Sequence, residues 1–212
     1  MPLYKTIKPN NNTSIFIWKI EESFDELLKD VTLTEYSLNR LQSMKSELHQ
    51  RGFLSVRYLL KKAGYTDADL YYNDNGKPHL KDGKNISISH SHHFSAIIIS
   101  DTVVGIDIEK NRDKIKIIQH KFVNFERGFI HEDDDLIQQL TVIWGAKESL
   151  YKIYPFGGLT FKNDIDINSF KIEDKKTTGY IKVKGWNKNY AIQFKQIDGF
   201  TLVYALDNLK NG

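Results

Sequence analysis

The sequence predicts an α+β protein, and three observations carry that reading. Apolar residues recur at three- and four-residue steps through Thr34–Ala63 (Leu38, Leu41, Met44, Leu48, Leu54, Leu59, Leu60). They do so again through Leu136–Tyr154, where Leu140, Ile143, Trp144, Leu150 and Tyr151 form a helical stripe. Around these helices lie β-branched, aromatic and alternating runs: 13–20 early, 85–109 in the middle, and 179–184, 190–196 and 201–206 at the end. With 212 residues the chain can bury ample core. The expected organisation is two α+β lobes, 1–101 and 102–212, each with a major helix and part of a sheet.

Taken in order, Thr13–Ile20 reads as a strand and Ser23–Lys29 as a short helix. The long helical segment follows and stops at Gly64. Arg40, Arg51 and Arg57 lie along it and are expected on a solvated face. Tyr71–Pro78 is turn-rich, Asn85–Glu109 reads as strand, turn, strand, and 113–130 as short helices containing Glu126. The segment 131–135 is an acidic loop ahead of the second major helix.

Composition narrows the chemistry. There is no cysteine, which excludes disulfides, thiol nucleophiles and thiolate-bound zinc and suits a reducing cytoplasm. Met1–Lys5 opens no apolar core of signal-peptide length and no run approaches a membrane span, so a cytoplasmic protein without membrane contact is expected. The net charge is +3, with 13 Lys/Arg against 12 Asp/Glu in residues 1–101, and no basic block marks a nucleic-acid partner.

Asp107 and Glu109 are two apart on a strand and so face the same way, with Ile106 and Ile108 behind them. Two carboxylates about 4 Å apart repel by roughly 4 kcal/mol at an effective dielectric of 20. A shared proton, a basic partner or a metal ion relieves that repulsion. Glu148 and Lys152, four apart on the second helix, form either a surface pair or part of the same site. In the second reading Glu148 is a third carboxylate around a hard cation such as Mg²⁺, and Lys152 faces a phosphate. His90, His92 and His93 lack the spacing of a zinc site. No Gly-x-Ser-x-Gly elbow, Walker loop or Gly-x-Gly-x-x-Gly element is present. A metal-dependent nuclease could use Asp, Glu and Lys in the same way, but the chain has no basic track.

Four blocks are informative together: Gly76-Lys77-Pro78, 86–91 (Ile-Ser-Ile-Ser-His-Ser), 104–109 (Val-Gly-Ile-Asp-Ile-Glu) and 144–152 (Trp-Gly-Ala-Lys-Glu-Ser-Leu-Tyr-Lys). In order and spacing they resemble the 4′-phosphopantetheinyl transferases of the surfactin-synthetase-activating (Sfp) type. Segments 48–57 and 121–126 match more loosely. The resemblance implies a pseudo-symmetric pair of lobes with coenzyme A as co-substrate between them. It also implies transfer of the phosphopantetheine arm to a serine of an apo acyl, peptidyl or aryl carrier protein, releasing 3′,5′-ADP; the chain length suggests a monomer holding both lobes. Carried over by motif position, Asp107, Glu109 and Glu148 hold Mg²⁺, with Mn²⁺ as a substitute. Lys152 contacts the phosphate and assists the leaving group. Ser89 and His90 meet coenzyme A phosphates, the Gly76, Lys77 and Pro78 block borders the adenine, and Arg51 meets the 3′-phosphate. Glu148 is the first candidate base and Glu126 the second. One residue departs from the pattern: Gly145 stands where the family more often has a small hydroxyl residue, at a cost of roughly 1 kcal/mol relative to Ala in a helix. A non-catalytic module binding coenzyme A or a carrier is the rival from another class.

Overall fold

The computed structural model describes residues 3–130 and 135–207. The chain divides into two compact units, Met1–Asp101 and Thr102–Gly212. The mixed α/β character predicted from periodicity is what both units show.

In the first unit, strands β1 (Lys5–Asn10) and β2 (Thr13–Lys19) lead to helices α1 (Phe24–Lys29), α2 (Glu35–Ser43) and α3 (Glu47–Lys62). A small hairpin of β3 (Leu70–Tyr72) and β4 (Pro78–Leu80) precedes strands β5 (Asn85–Ser91) and β6 (Phe94–Ser100). The sheet is antiparallel in the order β1-β2-β6-β5. Its buried face, with Ile97, Ile99 and Trp18, packs with Leu54, Leu59 and Leu60 of α3 into one core.

Capping explains the helix starts. Ser23 accepts from the Glu26 N–H while Glu26 accepts from the Ser23 N–H, closing a capping box. Thr34 Oγ1 caps α2 through the Ser37 N–H. The single helical segment expected over Thr34–Ala63 is two helices, because Met44 (ψ 122°) and Ser46 (ψ 122°) are extended. The break turns Leu38 and Leu48 outward, at 43% and 39% exposure, so their leucine spacing is not one buried stripe.

Arg57 also differs from its expected solvated face. It is buried, its Nε donates to Asp67 Oδ1 at 2.9 Å, and its guanidinium lies 3.4 Å from the centre of the Phe53 ring. Asp67 further accepts from the Thr34 N–H and from the hydroxyls of Thr34 and Ser37. A buried ion pair persists only with its remaining hydrogen bonds satisfied, and here they are.

In the second unit, β7 (Val104–Lys110) is followed by α4 (Lys114–Ile118), single turns at Gln119–Lys121 and Phe125–Gly128, and the long α5 (Leu136–Ile153). Short α6 (Phe161–Asp164) then leads to β8 (Ile165–Ile167), β9 (Lys176–Val183), β10 (Trp186–Ile197) and β11 (Phe200–Asp207). The antiparallel order is β7-β11-β10-β9-β8. The stretch Asn85–Glu109 is therefore three strands: β5 and β6 belong to the first unit and β7 to the second. The acidic loop expected at 131–135 lies outside the described residues except for Asp135.

Two glycines set how closely α5 lies on this sheet. A Cβ at Gly105 of β7 would stand 2.0 Å from the Ser149 carbonyl oxygen, so strand and helix backbones are in direct contact. A Cβ at Gly145 would meet Val203 Cγ2 at 2.7 Å and stand 3.5 Å from Asp107 Oδ2. Val203 is the register partner of Asp107. The departure at position 145 thus has a packing cause: the valine fills the space a side chain would take. Gly145→Ser is expected to lower stability by about 1–3 kcal/mol through overpacking, and adding Val203→Ala should recover part of it in thermal denaturation.

Candidate functional site

The acidic cluster of the second unit is built by β7 and α5. Ile106 and Ile108 are fully buried behind β7, which leaves Asp107 and Glu109 on its other face. Asp107 is itself only 5% exposed, and its buried position on β7 faces the helix. Lys152 reaches from the last turn of α5 to β7, donating to the Ile106 carbonyl at 2.8 Å and to Asp107 Oδ1 at 3.0 Å. Its ion pair is with the strand carboxylate, while it acts by charge on Glu148 one turn earlier on the helix.

Glu148 completes the cluster electrostatically. Burial first, and then the charges of Asp107 and Glu109, push its carboxyl up to about 7, while Lys152 draws it down. Three carboxylates that act on one another in this way, all offering oxygen, have the donor chemistry of a hard divalent cation. As the side chains stand, no group of three or more His, Cys, Asp or Glu among the described residues is gathered into a metal-binding arrangement.

The raised Glu148 pKa makes a stability prediction for metal-free protein. The folded state holds this proton more tightly than the unfolded chain, so Glu148's contribution falls as pH rises from about 4.5 through about 7. Glu148→Gln removes that loss. In the presence of a chelator the variant should match the parent near pH 4.5 and exceed it at pH 8, by on the order of 3 kcal/mol at most. Urea titrations at the two pH values check this.

Glu126, the second candidate base, is fully enclosed. Its Oε1 pairs with Lys147 Nζ at 2.7 Å and accepts the Ile167 N–H at 3.0 Å, and its Oε2 accepts the Asn124 N–H at 3.1 Å. Lys147 is fully buried too, donating to the Phe122 and Phe161 carbonyls at 2.7 and 2.9 Å. Burial pushes the Lys147 ammonium below its usual range while Glu126 holds it up. The pair joins α5 to the Phe125–Gly128 turn, the start of α6 and β8. Sequence reading passed over Lys147 although its position carried a signal, since it is four residues after Ile143 and three before Leu150 on the apolar face.

The remaining expected residues lie in the first unit. Gly76 takes a left-handed φ of +72° in the turn between β3 and β4, and Asn73 Oδ1 accepts the Lys77 N–H at 3.0 Å. Burial pushes the Lys77 ammonium down to about 8, and Pro78 begins β4, which packs against β5. On β5, Ser89 is buried and His90 exposed, on opposite faces of the strand. Arg51 on α3 donates from Nη2 to the Ile20 carbonyl at 3.4 Å, and its buried Nε has no hydrogen-bond partner among the described residues. No helix among the described residues is long and apolar enough to cross a membrane.

Residues 103–205, which span β7 through most of β11, match the family model of the 4′-phosphopantetheinyl transferase superfamily. A protein of Haemophilus influenzae named "Putative 4′-phosphopantetheinyl transferase" is 27% identical over 169 residues, covering 71% of this chain and 72% of that protein.

Proposed function

We propose, from the match of residues 103–205 to the 4′-phosphopantetheinyl transferase superfamily model, that the protein moves phosphopantetheine from coenzyme A to a serine of an apo carrier protein. The observation that carries this reading is the carboxylate cluster on β7 and α5, where Asp107 and Glu109 raise the Glu148 carboxyl and Lys152 stands at Asp107. The Sfp-type motif order in the sequence supports the same assignment.

Asp107, Glu109 and Glu148 would hold Mg²⁺, which neutralises pyrophosphate charge when bound. The chain's own groups supply the rest. The serine oxygen attacks the phosphorus bearing the pantetheine arm, a new P–O bond forms, and the bond to the departing 3′,5′-ADP breaks. Such a transfer asks mainly for alignment and charge compensation. Glu148, on α5 beside the strand carboxylates, is the candidate to take the serine proton. Lys152 brings a cation beside the carboxylates, suited to the charge on the leaving phosphate. Glu126, enclosed with Lys147, acts in this account as a brace, and Glu148 is the base. In the first unit, Arg51, Lys77, Ser89 and His90 would contact coenzyme A, with Gly76 and Pro78 beside the adenine. An anionic group beside Lys77 would raise its ammonium back towards the usual range.

Chromatography of reaction mixtures tests the reading. Release of 3′,5′-ADP from coenzyme A should require an apo carrier and a divalent cation together. Coenzyme A binding without release, across several carriers, would instead favour a binding module.

A further inference from the structure

Gly52 occupies the second turn of α3, in a helix interior where glycine costs about 1 kcal/mol relative to alanine. It is buried, and what buries it includes a side chain. A Cβ added at Gly52 would meet His90 Nδ1 at 2.9 Å, Cγ at 3.1 Å and Cε1 at 3.3 Å. Three atoms of one ring at similar distances mean that the imidazole of β5 lies against bare helix backbone. The His49 ring, three residues earlier on α3, is centred 6.1 Å from that of His90. Helix and strand cannot part readily to admit a larger residue. Ser55 Oγ donates to the Gly52 carbonyl and meets Ser95 Oγ, both at 2.8 Å, and Ser95 is the register partner of His90. A Cβ at position 52 therefore has to displace the His90 side chain.

We propose that Gly52 is a positioning residue that seats His90 against α3, next in sequence to Arg51, and so fixes the orientation in which His90 meets a phosphate of coenzyme A. The inference rests on the proposed function. Imidazole and guanidinium groups recognise phosphate through directed hydrogen bonds, so an imidazole turned away from its seat loses alignment while retaining its chemistry.

The test is a double-mutant cycle on Gly52→Ala and His90→Ala, read by calorimetry of coenzyme A binding and by steady-state kinetics. Gly52→Ala should weaken coenzyme A binding about tenfold and raise KM with little change in kcat. Its thermal midpoint should not fall, since alanine is the better helix former. In the His90→Ala background the same substitution should add nothing, the mark of two residues acting through one contact. Parent-like binding by Gly52→Ala, or an equal loss with His90 absent, would overturn the proposal. If the parent itself binds no coenzyme A, the functional reading fails, and the seat is then judged by NMR. An unchanged His90 ring signal in Gly52→Ala overturns the seat as well.

Discussion

Lys147→Met is expected to lower the unfolding free energy by about 3–5 kcal/mol, because it leaves a buried carboxylate without its cation. Glu126 has no exposed surface on which to recover hydration, and the Phe122 and Phe161 carbonyls lose their donor in the same step. The pair joins segments far apart in sequence, so the loss should appear as lower cooperative stability of the whole second unit. Adding Glu126→Gln to Lys147→Met should recover part of the loss, since the orphaned charge is then gone. Urea denaturation of the three variants checks both statements. A Lys147→Met protein as stable as the parent would show that the pair contributes nothing net.

Asp107→Asn is expected to lower transfer by about 10²–10³-fold. The substitution keeps shape and can still accept from Lys152, so the fold should survive while the cluster loses one of its three negative charges. A second readout separates charge from folding: Mg²⁺ should raise the thermal midpoint of the parent at pH 8 and have little effect on Asp107→Asn. With like charges reduced, the Glu148 carboxyl should also titrate lower than its value of about 7 in the parent.

Periodicity made the major helix α5 and most strands legible, because apolar spacing is a direct image of which face is buried. It did not show the break between α2 and α3, where extended backbone at Met44 and Ser46 interrupts a leucine spacing that looks continuous in one dimension. Nor did it show that Arg57 is buried, because its partner Asp67 is ten residues away and the loop between them must fold back to make the pair. In the site, the same-face rule correctly set Asp107 and Glu109 in front of buried Ile106 and Ile108. The i, i+4 rule placed Lys152 beside Glu148, and the structure adds its contacts with Asp107 and the Ile106 carbonyl. Those contacts are tertiary, and the close approach of α5 to β7 over Gly105 sets them. Gly145 shows the same limit: a departure from a motif became intelligible only once Val203 was seen beside it.

The most direct test of the central proposal is the intact mass of a carrier protein. A panel of apo acyl, peptidyl and aryl carriers is incubated with coenzyme A, Mg²⁺ and either the parent protein or Asp107→Asn. With the parent, at least one carrier should gain the mass of one phosphopantetheine group, lost again when its acceptor serine is changed to alanine. An unchanged mass for every carrier, under conditions where coenzyme A and Mg²⁺ are in excess, would contradict the proposal.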